Sequence, residues 1–221
     1  MTVVLLAVAL DLLLGDPPSR FHPVAWIGRL IDLGRDLGLR WADRAPPDLL
    51  VLYGVFLILV VTLTAVMGAL AAYAATGWLP WPLGLLAQAW LLKCSFSLRG
   101  LVAAVWEVRD RLFAGDLTGA RAAVGRHLVS RPVDGLGEEA TASAAVESLA
   151  ENLTDSWVAP LCFYLVGGLP GAWAYRAVNT ADAMIGYREG ALDRLGSATA
   201  RLDDLLNLVP SRLAALAVVA G

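Results

Sequence analysis

The acidic residues Glu147, Glu151 and Asp155 recur at every fourth position of the sequence. On an α-helix this spacing places all three on one face, together with Ser143. Three like charges on one face repel one another unless a cation lies between them, which a divalent metal ion, a substrate amine or an arginine can supply. The stripe also runs directly into the apolar stretch 158–166, where water is less available to solvate charge. We therefore predict that these residues take part in chemistry rather than forming a solvated helix face.

Two more polar clusters follow along the chain. Asn179 and Asp182 are three residues apart and face the same way on a helix. Asp203 and Asp204 stand at the entry to an apolar helix. Paired aspartates there either cap the positive end of the helix or bind Mg²⁺ close to phosphate groups.

A fourth cluster, near the start of the chain, contains Asp11, Asp16 and His22. The Gly-Asp-Pro-Pro sequence around Asp16 indicates only a turn by itself, but an aspartate inside an apolar helix, such as Asp11, is a candidate functional residue. The sequence has no G-x-x-x-x-G-K-[ST] or G-x-G-x-x-G motif, so any nucleotide site would be of an unconventional kind. The two histidines lack the H-E-x-x-H spacing of a zinc hydrolase.

The composition predicts a membrane protein. Of the 221 residues, 58% are hydrophobic and 17% are charged, and the mean hydropathy is +0.64. Ordinary soluble domains are about half apolar and about a quarter charged. A net charge of −3 gives no basic surface for nucleic acid. We expect residues 1–221 to form a single domain.

The hydrophobic pattern predicts the membrane topology. Residues 49–78 carry no charge and are long enough to cross a bilayer. A second apolar segment returns from residue 82 towards about residue 105. The resulting hairpin leaves residues 15–48, with five arginines, and residues 99–152, with six, on one side. The positive-inside rule assigns that side to the cytoplasm.

The second half of the chain predicts a broken helix pair. A helix is expected over residues 138–165, followed by a break at residues 167–171, where the sequence is Gly-Gly-Leu-Pro-Gly. A second helix resumes over 172–185, and a third begins near residue 192. The fold class is therefore an all-α, polytopic integral membrane protein with a glycine-broken, re-entrant or hairpin helix pair and cytoplasmic helical loops.

The four clusters, in this order, resemble those of the cobalamin-biosynthesis membrane proteins called CobD or CbiB, the adenosylcobinamide-phosphate synthases. The matching stretches are DLLLGDPPSRFHPVAWIG, GDLTGARAAVGRHLVSR, AAVESLAENLTDSWVAPLCFY, AYRAVNTADAMIGYR and ARLDDLLNLVPSRL. The resemblance implies a ligase that uses ATP to form an amide bond. It would join a carboxylate of adenosylcobyric acid to (R)-1-amino-2-propanol or to its O-phosphate.

The resemblance also suggests roles for the candidate residues. The predicted catalytic residues are Glu147, Glu151, Asp155 and Asp182. The predicted Mg²⁺ ligands are Glu151, Asp155, Asp203 and Asp204, and those that do not touch the metal are expected to surround it or to bind the substrate ammonium. The predicted substrate-binding residues are Asp11, Asp16, His22, Arg131, Asn152, Asn179, Arg188 and Arg201. Among these, the arginines are candidates for phosphate oxygens and the asparagines for orienting hydrogen bonds.

The resemblance further implies a multi-pass protein of the cell (inner) membrane, with the active-site loops in the cytoplasm. Its partners would be the corrinoid, the aminopropanol and the lipid bilayer, and it would associate with itself or with other late enzymes of the pathway. The sequence departs from the family at Arg131-Pro132-Val133, where members usually have Arg-Asp-Thr. Members also continue through a further membrane segment, so we expect a shortened member.

Two alternatives remain open, one from the resemblance and one from the residues. One is a membrane sensor without ligase activity, because the AmpE proteins are distantly similar to this family. The other is a transporter, which Asp11 and the glycine-broken hairpin would suit. A substrate path across the bilayer, in place of a pocket open to one side, would distinguish the transporter.

Overall fold

The computed structural model describes residues 1–129 and 132–220. Within these residues it contains helices and no strands, which confirms the all-α prediction. The α-helices are α1 Thr2–Leu14, α2 Pro23–Leu39, α3 Pro47–Thr76, α4 Trp81–Lys93, α5 Leu98–Phe113, α6 Leu117–His127, α7 Glu138–Leu153, α8 Ala159–Ile185, α9 Leu192–Leu195 and α10 Ser197–Ala220. A π-helical turn, Thr154–Val158, joins α7 to α8.

The helices include segments that are long and apolar enough to cross a membrane. These are α3 and the helical stretch Glu138–Ile185, and the bent pair α4–α5 is a third if the pair counts as one span. At 1.5 Å per residue, the 30 residues of α3 extend about 45 Å, more than the hydrocarbon thickness of a bilayer. The length and composition of these helices confirm the prediction of a polytopic membrane protein. The cytoplasmic placement of the loops stays a prediction.

Helix α3 has one exposed apolar face and one buried face. Large apolar side chains remain exposed along one side, where they suit contact with lipid; they are Leu52, Phe56, Leu59 and Leu63. The opposite side is buried against α2, the later part of α8, and α9. Gly54 permits a close approach there, because a Cβ at this position would lie 1.9 Å from the carbonyl oxygen of Leu195. Helix α3 therefore provides the surface on which α8 and α9 of the second half pack.

A separate apolar cluster joins α5, α6 and α7. It consists mainly of small side chains that let these three short helices pack closely, namely Val108, Ala120, Ala123, Val124, Ala144 and Ala145. This cluster fixes α7, which carries the predicted acidic stripe.

The chain reverses direction at Gly168 in α8. Gly168 has φ 62° and ψ −154°, a conformation that is essentially restricted to glycine. The rings of Phe163 and Tyr175 stack with their centroids 5.1 Å apart. Since Tyr175 follows Phe163 by 12 positions, a continuous helix would separate the rings by about 18 Å. Residues 159–167 and 169–185 are therefore the two arms of a helical hairpin, which confirms the predicted glycine-broken pair.

The predicted segment from residue 82 to about residue 105 is broken in the structure. Helix α4 ends at Lys93, α5 begins at Leu98, and the two are bent by 43°. Contacts from distant parts of the chain hold the break. The N–H of Ser97 donates to the carbonyl of Ser156 over 3.0 Å, and Asp11 accepts hydrogen bonds from the first backbone N–H groups of α5. These partners could not be read from the local sequence.

The third helix of the second half begins later than predicted. Leu192–Leu195 forms only a single turn, and the long helix α10 starts at Ser197. Gly196 separates them. A Cβ at Gly196 would lie 1.7 Å from the carbonyl oxygen of Ile185, so this position packs directly on the end of α8.

Candidate active site

The candidate site is built on the π-helical turn between α7 and α8. In this turn the N–H of Ala159 bonds the carbonyl of Thr154, five residues earlier, in place of the usual four. Such turns occur frequently at functional sites. Asp155 lies in the turn and contacts the second arm of the α8 hairpin and α10.

Four side chains from three elements meet in one hydrogen-bonded network. The hydroxyl of Tyr175 lies 3.0 Å from Oδ1 of Asn207 and 3.3 Å from Oδ1 of Asp155. The amide of Asn207 donates to Oδ1 of Asp155 over 3.1 Å and to Oδ2 of Asp203 over 2.9 Å. The network thus brings together two of the predicted metal ligands, Asp155 and Asp203.

This network has more hydrogen-bond acceptor oxygens than donor hydrogens. The single hydroxyl proton of Tyr175 is shared between two acceptor oxygens, and both amide hydrogens of Asn207 are already directed at carboxylates. No lysine or arginine of the described residues lies within 4.0 Å of Asp155 or Asp203. Two carboxylates in one partly buried network repel each other unless a proton or cation joins them. The arrangement therefore suits cation binding.

The pKa of Asp203 reflects its burial and the excess of negative charge in the network. Asp203 lies on α10, which is not one of the candidate membrane spans. Burial raises the pKa of Asp203 to about 6, and the charges of Asp155 and Asp182 act in the same direction, against hydrogen bonds from Asn179 and Asn207. A carboxyl group with this pKa can hold or release a proton near neutral pH.

Asn179 links the carboxylates to an arginine. Its Nδ2 donates to Oδ1 of Asp203 over 3.4 Å, and its Oδ1 accepts from Nη1 of Arg176 over 3.2 Å. The predicted orienting role of Asn179 fits this position, because its amide is fixed between an anion and a cation. Negative and positive groups therefore lie on opposite sides of one side chain.

The N-terminal cluster forms around a buried lysine that the sequence did not mark as a candidate. Lys93 is fully buried, its Nζ lies 3.5 Å from Oδ1 of Asp11, and it hydrogen-bonds Oδ1 of Asp16. Burial raises the pKa of Asp16, but hydrogen bonds from His22, Lys93 and Ser97 outweigh it and lower that pKa below the usual range.

The contacts of the three predicted residues in this cluster hold helices in place. Asp11 is fully buried and caps α5 through Leu98 and Arg99, at 3.1 and 2.9 Å. Nδ1 of His22 accepts from the N–H of Val24 at the start of α2, and its Nε2 lies 3.8 Å from Asp16. The structure brings Asp11, Asp16 and His22 together as expected, while their binding of substrate stays a prediction.

Glu147 and Glu151 are exposed and line a cleft of about 490 Å³ beside the network. The other lining residues come from the end of α6, from α7 and from the loop after α8; they are Leu128, Val129, Pro132, Ser148, Tyr187 and Glu189. Asp155 does not line this cleft. The predicted single stripe is therefore divided between an open acidic cleft, which holds Glu147 and Glu151, and the partly buried network, which holds Asp155.

The remaining predicted residues lie around these two regions. Asp182 is half-buried and interacts electrostatically with Asp155 and Asp204. Asn152 donates to the carbonyl and hydroxyl of Ser148, over 2.9 and 3.0 Å, and so supports the cleft wall. Three predicted residues are exposed, namely Arg188, Arg201 and Asp204. Arg131 lies outside the described residues.

No group of three His, Cys, Asp or Glu side chains suited to a metal ion occurs within residues 1–129 and 132–220. The four predicted metal ligands are thus not gathered into one set. Asp155 and Asp203 share the network, Glu151 lies in the cleft, and Asp204 is exposed.

Sequence reasoning missed Tyr175, Arg176 and Asn207 as members of the site. The spacing held a signal for two of them. Asn207 follows Asp203 by four positions, and Tyr175 precedes Asn179 by four, so each pair shares a helix face. An aromatic or amide side chain beside charged residues is a weaker sign of chemistry than a pair of aspartates.

Comparison with known proteins places the chain in a family. Residues 4–221 match the family model described as CobD/Cbib protein. A probable cobalamin biosynthesis protein CobD of Pyrococcus abyssi is 42% identical over 97% of this chain and 70% of its own length. The corresponding protein of Thermococcus kodakarensis is 43% identical over 96% and 68%. The cobalamin biosynthesis protein CobD of Dehalococcoides mccartyi is 36% identical over 99% and 69%. No solved structure matches this chain.

Proposed function

Because this chain belongs to the CobD/Cbib protein family, we propose that it is a membrane enzyme of cobalamin biosynthesis that forms an amide bond. Its substrates in this proposal are adenosylcobyric acid and aminopropanol or its O-phosphate, with ATP as the source of activation. The names of the relatives support the pathway. The reaction type rests on the resemblance and on the chemistry of the site.

The observation that carries the proposal is the acceptor-rich network of Asp155, Tyr175, Asn207 and Asp203 next to Arg176. An amide-forming ligase must hold an ammonium-bearing substrate, a carboxylate and phosphate groups in one place. A site with carboxylates on one side and an arginine on the other matches that set of charges. Positioning of this kind can supply much of the rate of a two-substrate reaction.

Mg²⁺ fits the partly buried pair of carboxylates, Asp155 and Asp203. This ion needs only one or two protein carboxylates when substrate phosphates and water complete its shell, and Asp155 and Asp203 would hold it. When bound, it would supply positive charge to the phosphate oxygens of ATP.

The cleft is the proposed amine site. Glu147, Glu151 and Glu189 give it negative charge, and its nearness to Asp155 would bring the amine to the activated carboxyl group. ATP supplies the phosphoryl group that converts the substrate carboxylate into an acyl phosphate. The bound ammonium first gives a proton to a carboxylate oxygen of the cleft. The neutral amine nitrogen then attacks the acyl carbon, the C–O bond to phosphate breaks and its electron pair leaves with the phosphate, and the nitrogen loses its second proton to water as the amide forms.

The test is a reconstitution with the purified protein in detergent. Adenosylcobyric acid and aminopropanol, or its phosphate, are supplied with and without Mg-ATP, and the corrinoid products are separated and weighed by mass spectrometry. We expect the amide product only when all components are present. A folded, monodisperse preparation that forms no amide product from either amine would contradict the proposal.

A further inference from the structure

We infer that Arg176 is an oxyanion-binding residue of this site, and that its guanidinium receives a carboxylate or phosphate oxygen from a substrate. The inference rests on the proposed function, because it assigns one of that reaction's anionic groups to a particular side chain. Arg176 lies on the second arm of the α8 hairpin, one residue after Tyr175.

The hydrogen-bonding capacity of Arg176 is largely unused. A guanidinium carries five N–H donors, and the one side-chain hydrogen bond it makes to the described residues runs from Nη1 to Oδ1 of Asn179 over 3.2 Å. Its Nε is buried and has no hydrogen-bond partner among residues 1–129 and 132–220. Within the described part of the chain, no carboxylate lies within 4.0 Å of its nitrogen atoms.

Two other arginines, Arg99 and Arg111, have their donors satisfied by the fold. Arg99 donates to the carbonyls of Leu12 and Leu13 over 3.2 and 2.7 Å, which closes the end of α1. Arg111 forms ion pairs with Glu107 and Asp116. These side chains have fixed structural partners, whereas the buried Nε of Arg176 has none in the described part of the chain.

A partly buried guanidinium without a direct counter-ion is costly to maintain, because its charge and its buried Nε lose water. Asp155 and Asp16 interact with Arg176 through their charges, but neither forms a hydrogen bond with it among the described residues. Their charges offset part of the cost of the cation and leave its donors open. A ligand oxyanion would complete the missing bonds.

The geometry of the unpartnered donors determines the kind of ligand. Asn179 occupies Nη1, which leaves the edge formed by Nε and Nη2. Two parallel N–H groups on one edge match the two oxygens of a carboxylate or of a phosphate. Asn179 also contacts Asp203, so an anion bound at this edge would lie close to the carboxylate network.

The first test uses Arg176→Lys, which keeps the positive charge and removes the planar fork. Thermal unfolding of the detergent-solubilised protein is followed with and without inorganic phosphate and with Mg-ATP. We expect phosphate or Mg-ATP to stabilise the wild-type protein against heat, and the variant to lose that response. Arg109→Lys is the matched control, because Arg109 is exposed and its contacts are local, with the neighbouring Asp110 and the ring of Trp106. It should respond as the wild type does.

The second test separates the two sources of the oxyanion. Steady-state kinetics of Arg176→Lys should show kcat/KM lowered about 100-fold, the scale of losing a bidentate charged contact. A rise in KM confined to Mg-ATP assigns the phosphate, and a rise confined to the corrinoid assigns its carboxylate. If the variant unfolds at a lower temperature but binds and turns over as the wild type does, Arg176 is structural and the inference is wrong. A wild-type protein without ligase activity would instead remove the proposed function, while the phosphate response would still report on Arg176.

Discussion

The hydroxyl of Tyr175 lies 3.3 Å from Oδ1 of Asp155, although 20 positions separate the two residues in the sequence. A continuous helix would place them about 30 Å apart. The reversal at Gly168 makes the contact, and the π-helical turn carries Asp155 to meet it. The site thus depends on two irregularities in one helical stretch.

The first prediction concerns that reversal. Gly168→Ala should destabilise the protein by about 1–3 kcal/mol, because a Cβ strains the backbone at φ 62° and ψ −154°. Unfolding by sodium dodecyl sulfate titration or heat, followed by circular dichroism, gives the measurement. Gly167→Ala is the control, since Gly167 lacks a positive φ and a Cβ added there would meet no neighbouring atom within 4 Å. Equal stability of the two variants would show that the hairpin does not depend on Gly168.

The second prediction concerns the Tyr175 hydroxyl. Tyr175→Phe keeps the ring that stacks on Phe163 and removes the group shared by Asp155 and Asn207. We expect a stability loss of about 1–2 kcal/mol and a fall in kcat of roughly 10- to 100-fold, because a hydrogen bond to a charged group is lost. Thermal unfolding and product formation measure the two effects. Tyr73→Phe, at an exposed position of α3, should leave both unchanged; a Tyr175 variant with the same behaviour would remove the hydroxyl from the site.

Much of this architecture was predictable, because hydrophobic length and glycine placement act locally. The uncharged stretch 49–78 predicted α3, and Gly-Gly-Leu-Pro-Gly predicted the hairpin. The break at residues 94–97 was not predictable. It is held by Asp11 and Ser156, which are distant in sequence.

The candidate site was also predicted in part, because some of its residues are marked by local spacing. Asp155, Asn179 and Asp203 were named from their spacing and from the family resemblance, and the structure places them in linked contacts. The regular four-residue repeat also grouped Asp155 with Glu151, whereas the structure places Glu151 in the cleft and Asp155 in the network, on the π-helical turn. A helical period assumes unbroken α geometry, so it cannot anticipate an inserted residue.

The third prediction concerns the acidic cleft. Glu151→Gln keeps the size of the side chain and removes its charge, and it should lower ligation roughly 10²- to 10³-fold at saturating Mg-ATP if that charge holds the amine. The folded state and membrane insertion should be unaffected. Glu139→Gln, exposed near the start of α7, is the matched control and should be nearly silent. Near-normal turnover by the Glu151 variant would exclude the cleft from the reaction.

The fourth prediction concerns topology. Cysteines are introduced singly at Ser143, Asp193 and Trp78, all exposed positions, in a chain whose Cys94 and Cys162 are replaced by alanine. Because one site uses residues from α7, α8 and α10, positions 143 and 193 should react with a membrane-impermeant maleimide from the same side. Position 78, beyond the span α3, should react from the other. Labelling of positions 143 and 193 from opposite sides of the membrane would contradict the prediction, because the residues of the proposed site could not then lie together.

The most direct measurement is the turnover of Asp155→Asn, because Asp155 joins the π-helical turn, the hairpin and α10 in one network. The exchange keeps the shape of the side chain and removes the charge that would hold Mg²⁺. Formation of the corrinoid amide at saturating Mg-ATP should fall roughly 10²- to 10³-fold, while the thermal unfolding profile shows a folded protein. Asp110→Asn, at an exposed position of α5, should retain full turnover. Ligation by the folded Asp155 variant at the wild-type rate would contradict the assignment of this network as the catalytic centre.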